Sequence, residues 1–101
     1  MEVQIDGPAQ AFIFSLEDDA IAKVLRTIDL LERFGNKLGM PHSKKITSRI
    51  FELRIRGKQE VRLFYTFHQL RIIVLHGFVK KSRETPKREI ENAQQRLNGL
   101  R

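Results

Sequence analysis

Between Arg54 and Lys81 the chain gathers side chains suited to cutting a phosphodiester without a metal: Arg54, Arg56, Arg62, Tyr65, His76, Phe78, Lys80 and Lys81. RNA carries its own nucleophile, the 2′-hydroxyl. A protein must then orient that hydroxyl, help remove its proton, stabilise charge on the phosphate and protonate the leaving oxygen. Arginine and lysine suit the electrostatic part. Histidine, tyrosine or lysine can move protons, and an aromatic ring can hold a base splayed from its neighbours. Each residue also has a plainer reading. Arg54 and Arg56 alternate with apolar residues, which equally describes a solvated strand face. Arg62 shares a strand face with Phe64 and suits a salt bridge to Glu52. Tyr65 has the parity of Val61 and Leu63, as a core tyrosine would. His76 sits in an apolar run, the usual place of a satisfied core histidine. Lys80, Lys81 and Arg83 lie between a strand end and a helix, where phosphate is readily bound and where a solvated basic loop fits as well.

Other chemistries are harder to build from this sequence. There is no glycine-rich phosphate loop, no HExxH and no nucleophile elbow. His42, His68 and His76 are scattered, and residues 37–101 hold only five carboxylates, so no metal or cofactor site is expected and any RNA cleavage should be metal-free. Cysteine is absent, which removes disulfides and thiolate chemistry and suits a reducing compartment. The net charge is +7, unevenly spread. Residues 1–36 carry three basic and seven acidic side chains, a net −4, whereas residues 37–101 carry sixteen and five, a net +11. Such concentrated positive charge attracts polyphosphate or an acidic partner protein. No run of about 18 apolar residues occurs. The start, Met1–Asp6, lacks the basic and apolar stretches of a signal peptide, so a cytoplasmic location is expected.

The elements that must position these groups follow from periodicity. All 101 residues read as one domain. Val3–Ile5 suits a brief edge strand, and Asp6-Gly7-Pro8 opens a short helix running to Ser15. Ser15 with Asp18 resembles a capping box for the next helix, whose stripe is Ile21, Val24, Leu25, Ile28 and Leu31. Gly35-Asn36 ends it. Residues 37–48, with Lys44 and Lys45, read as a basic loop. The period then changes to two: Arg49–Arg56, Glu60–Phe67 and Leu70–Val79 read as strands, joined by turns at Gly57-Lys58-Gln59 and His68-Gln69. Short turns imply an antiparallel meander. Thr85-Pro86 is read as a cap and first helical position before a helix with Ile90, Ala93 and Leu97. The expected architecture is α+β: a helical hairpin and a C-terminal helix on a twisted antiparallel sheet of three to four strands.

Glu52-Leu53-Arg54, Arg62-Leu63-Phe64-Tyr65, Leu75-His76-Gly77-Phe78-Val79-Lys80-Lys81 and Thr85-Pro86, in that order and spacing, resemble the phage-type HigB-like branch of the RelE/HigB toxin superfamily. The resemblance implies a small RelE-like fold and a toxin of a type II toxin–antitoxin system. It implies a metal-independent, ribosome-dependent mRNA endonuclease (mRNA interferase) that inhibits translation. The implied partners are a cognate antitoxin, typically a helix-turn-helix protein, and mRNA on the ribosome, with no membrane. By motif, Arg54 and Arg62 would carry phosphate and transition-state charge, Tyr65 would stack or orient, and His76 and Lys80 are rivals for proton transfer. Lys44, Lys45, Arg56, Lys58, Phe78, Lys81 and Arg83 would contact RNA. The chain departs from the RelE pattern in lacking a C-terminal Arg/Tyr pair, in whose place stands the helix with Ile90 and Ala93. The alternative reading is a non-catalytic basic module that docks on RNA, DNA or an acidic protein.

Overall fold

A computed structural model describes residues 1–101. In chain order it has β1 (Val3–Ile5), α1 (Gly7–Phe14), α2 (Asp18–Phe34) and a 3-10 turn (Gly35–Lys37). There follow β2 (Ser43–Lys45), β3 (Phe51–Ile55), β4 (Val61–His68), β5 (Arg71–Val79) and α3 (Lys87–Asn98). The architecture is α+β, and β3, β4 and β5 form the expected meander. The sheet is larger than expected and is mixed, with five strands in the order β1-β5-β4-β3-β2. β1 runs parallel to β5, and the other pairs are antiparallel. The fifth strand comes from the supposed loop: Ser43–Lys45 pairs with Phe51–Leu53. Its sequence has no apolar signal because two of its three residues are exposed lysines on a sheet edge.

The helix ends also differ in detail. Asp6 caps α1 by accepting from the Gly7 amide, but the Ser15 hydroxyl donates back to the Phe12 carbonyl and closes α1 instead of opening α2. Glu17 stands at the start of α2 without a side-chain cap, and Asp18 and Asp19 supply negative charge to that first turn. Gly35 stops α2 with φ of 54°, a conformation glycine takes without a Cβ penalty. At α3 it is Pro86 that takes the cap position, so Thr85 lies one residue too early to cap.

Helices cover both faces of the sheet. On one face, Ala9, Ile13, Val24, Ile28 and Leu31 of α1 and α2 pack on Leu53, Ile55, Leu63, Tyr65, Ile72 and Val74. Leu25, assigned to the same stripe by its spacing, points outward and is 50% exposed. On the other face, Ala93 and Leu97 of α3 close on Phe64, Ile73, Leu75 and Phe78. One irregularity matters for the site. Phe64 pairs with His76 but Tyr65 pairs with Val74, which leaves Leu75 as an extra residue in β5. Such a bulge inverts the alternation beyond it. His76 and Phe78 therefore face α3, and Gly77 faces α1, where a Cβ would meet the Phe12 ring.

Candidate functional site

Strand alternation places Lys44, Glu52, Arg54, Arg62, His76 and Phe78 on the α3 face of the sheet. Arg54 of β3 lies directly opposite Arg62 of β4. Like charges at such a pair repel unless something neutralises them. Glu52 does so: its Oε1 accepts from Arg54 Nε at 3.0 Å, and its Oε2 lies 3.8 Å from Arg62 Nε. Glu60 continues the chain of charges, with Oε1 at 3.8 Å from Arg62 Nη2 and 3.9 Å from Arg56 Nη1. Three guanidinium groups thus share two carboxylates. Arg62 also donates from Nη1 to its neighbour's carbonyl, Val61 O, at 3.3 Å.

The cluster is buried yet incompletely bonded. The side chains of Glu52, Arg62 and Arg54 are 3%, 5% and 14% exposed. The 3.8 Å contact between Glu52 and Arg62 is an ion pair but too long for a hydrogen bond, so Glu52 Oε2 and Arg62 Nε are left without partners. Hydrophobic replacement of such a pair commonly matches or exceeds its stability.

His76 is held by α3. The Arg96 guanidinium donates from Nη1 to the Leu75 carbonyl at 2.7 Å and to His76 Nδ1 at 3.1 Å. Guanidinium has no acceptor, so Nδ1 must accept, and Nε2 must carry the proton that it donates to Glu89 Oε1 at 2.8 Å. Both ring nitrogens are occupied. In this arrangement His76 ties β5 to α3 and has no lone pair free to take a proton from RNA. Glu89 and Arg96 were not among the sequence candidates. Their spacing of seven, which puts them on one face of α3, was the available signal.

The remaining candidates separate. Tyr65 lies in the α1/α2 core at 1% exposure, on the opposite face from Arg54 and Arg62, with its hydroxyl bonded to that of Ser43. Burial pushes its phenol above the ordinary value near 10, and the Ser43 bond pulls the other way. Phe78 is opposite Arg62 but buried, with its ring 5.3 Å from Phe64, so its face is not open to a base. Lys80 is half-buried just past β5, its amide donating to the Glu60 carbonyl at 2.7 Å, and Lys81 and Arg83 are exposed in the loop before α3. None of these three makes an ion pair. Lys44 pairs with Glu52 in register, Lys45 turns to the other face, and Lys58 is exposed in the β3–β4 turn. No surface cavity is lined by Arg62, His76 or Lys80, whereas Arg54 and Arg56 line one beside α2. No three His, Asp or Glu side chains come together as a possible metal site, and no helix is long and apolar enough to cross a membrane.

Fold and site together define a small basic α+β protein with a paired-arginine cluster on one sheet face. The family model described as phage-derived protein Gp49-like (DUF891) matches residues 11–98, and the chain belongs to that family. The family is related to the RelE/HigB toxin superfamily and is toxin-like, of the kind found in toxin–antitoxin systems. No curated protein matches the chain.

Proposed function

We propose that the chain is the toxin of a type II toxin–antitoxin pair and a metal-independent endoribonuclease that cuts mRNA on the ribosome in the cytoplasm. Its cognate antitoxin is of the helix-turn-helix kind. The observation that carries this reading is the direct cross-strand pairing of Arg54 with Arg62 on a face flanked by free cations. The two guanidinium groups stabilise the non-bridging oxygens as the 2′-hydroxyl, its proton passing to solvent, attacks phosphorus and the bond to the 5′-oxygen breaks. Of the two rivals for proton transfer, Lys80 has the unengaged side chain, and its ammonium suits protonation of the departing 5′-oxygen. Lys44, Lys81 and Arg83 supply phosphate contacts. Tyr65 and Phe78, being buried, support the sheet.

The test is induction of the chain in cells followed by mapping of new mRNA 5′ ends. Wild type should arrest growth and generate such ends. Arg54→Ala and Arg62→Lys, checked for folding by thermal melts, should lower cleavage about 100-fold. Full cleavage by a folded double variant would sink the reading. A second reading, a non-catalytic basic module, is favoured by one observation: Arg62 is almost fully buried and no cavity opens over it. It predicts salt-sensitive RNA binding with no new 5′ ends at all.

A further inference from the structure

A cavity of about 290 Å³ opens on the free edge of β3, between that edge and α2. β2 pairs with β3 only up to Leu53, and the His42 carbonyl then accepts from the Arg54 amide at 2.8 Å. Beyond this point the edge has no strand beside it. Lys23 and Arg26 of α2 line the cavity together with Arg54 and Arg56 of β3 and His42. No carboxylate lines the cavity. The acidic groups around it are Glu52, bonded to Arg54 at 3.0 Å, Glu60, which pairs with Arg56 at 3.9 Å, and Glu17 and Asp19 in a smaller adjoining hollow. Leu30, Pro41 and Ile55 give the cavity an apolar floor.

Two features restrict what such a hollow takes. Lys23 and Arg26, which make no ion pair, attract an anion, and an apolar floor rewards a flat, weakly hydrated group. A nucleotide of single-stranded RNA offers both, a phosphate for the rim and a base for the floor. An acidic peptide offers carboxylates but shares no reason to reach the Arg54–Arg62 cluster. Arg54 belongs to both places, since it lines the hollow and bonds Glu52 beside Arg62. We propose that this hollow seats a nucleotide of single-stranded RNA flanking the scissile phosphate, its phosphate on Lys23, Arg26 and Arg56 and its base over Leu30 and Ile55. The proposal rests on the reading of RNA as substrate and extends the RNA track from the α3 face over the β3 edge to α2.

The test measures binding of a short single-stranded 2′-O-methyl RNA, which lacks the attacking hydroxyl and so cannot be cut, by fluorescence anisotropy across a salt series. Arg26→Gln is compared with Arg33→Gln, an equal loss of charge at another exposed arginine of α2 that lies outside the hollow. Arg26→Gln should weaken binding about threefold to tenfold and lower the salt slope by about 0.7, the value for one lost phosphate contact on a single strand. Arg33→Gln should change the dissociation constant by less than about twofold. Equal effects of the two variants, or no effect of either, would overturn the proposal. A polyglutamate peptide that loses binding in Arg26→Gln while RNA does not would assign the hollow to an acidic protein segment instead. Because the probe is uncleavable, RNA seated here in a protein that generates no mRNA ends would leave this inference standing and remove the nuclease reading alone.

Discussion

The two faces of the sheet solve different problems with the same strands. The α1/α2 face is filled almost wholly by apolar side chains, aliphatic and aromatic, and the hydroxyl of its buried Tyr65 has a partner in Ser43. The α3 face is apolar only where α3 lies, chiefly over β5. Its other half buries Glu52 and Arg62 with one polar atom apiece unbonded. A face selected only for stability would not keep such a cluster, because well-packed apolar residues of similar volume are commonly as stable or more so. Local departures from packing rules of this kind gather where a protein does its work.

The largest expected effect comes from breaking that cluster. Glu52→Ala leaves Arg62 buried without its main counter-charge and should cost about 3–5 kcal/mol in urea unfolding. The double variant Glu52→Leu with Arg62→Met should recover most of that loss while abolishing RNA cleavage. A cost below about 1 kcal/mol for Glu52→Ala would mean that the cluster is solvated like a surface pair, and the contrast between the faces would fail.

The α1/α2 face should fail through shape instead of charge. A Cβ on Gly77 would stand 2.5 Å from Phe12 Cδ2 and 2.8 Å from Leu63 Cδ2. Leu63 is fully buried and has little room to give. Gly77→Ala should therefore cost about 1–3 kcal/mol by overpacking, read as a lowered melting temperature. Shortening the obstructing ring with Phe12→Leu in the Gly77→Ala background should return part of it. An unchanged melting temperature for Gly77→Ala would show that α1 can move away from β5.

The same contrast separates what periodicity reveals from what it hides. β3, β4 and the α2 stripe were legible because apolar residues recur with a fixed period in each, although β4 is buried on both faces from Val61 to Thr66, and the Arg62–Glu52 ion pair was legible from their shared strand face. β2 was hidden: Ser43-Lys44-Lys45 has no hydrophobic pattern, and its place depends on β3 and on the Ser43–Tyr65 bond. The bulge in β5 was hidden too, because Ile72 to Leu75 are all apolar and buried, so nothing in the run marks which residue is extra. That one residue turns His76 toward α3. Arg54 and Arg62, grouped only by the motif resemblance, lie opposite each other across β3 and β4, whereas Tyr65 faces the other side with Val61 and Leu63, as its parity implied. Lys23 and Arg26 could not be linked to β3 from sequence, since the approach of α2 to the β3 edge is a tertiary contact.

The smallest expected effect tests whether Tyr65 belongs to the packing or to the chemistry. It is the only tyrosine, and the chain has no tryptophan, so near-ultraviolet absorbance follows its ionisation alone. Burial raises its folded-state pKa above the unfolded value, so the unfolded chain releases that proton first as pH rises. The resulting stability is complete below about pH 10 and is lost as pH climbs through the folded-state value. Tyr65→Phe should remove this part of the alkaline loss and cost about 1 kcal/mol near neutral pH, where the buried Ser43 hydroxyl loses its partner. Lysines titrate in the same range, so the difference between wild type and Tyr65→Phe isolates the tyrosine. RNA cleavage by Tyr65→Phe should stay within about twofold of wild type, because the ring faces α1 and α2 and cannot touch a phosphate held by Arg54 and Arg62. A loss of cleavage approaching that of Arg54→Ala, in a variant that still melts as a folded protein, would return the tyrosine to the reacting centre and break the division of labour between the faces.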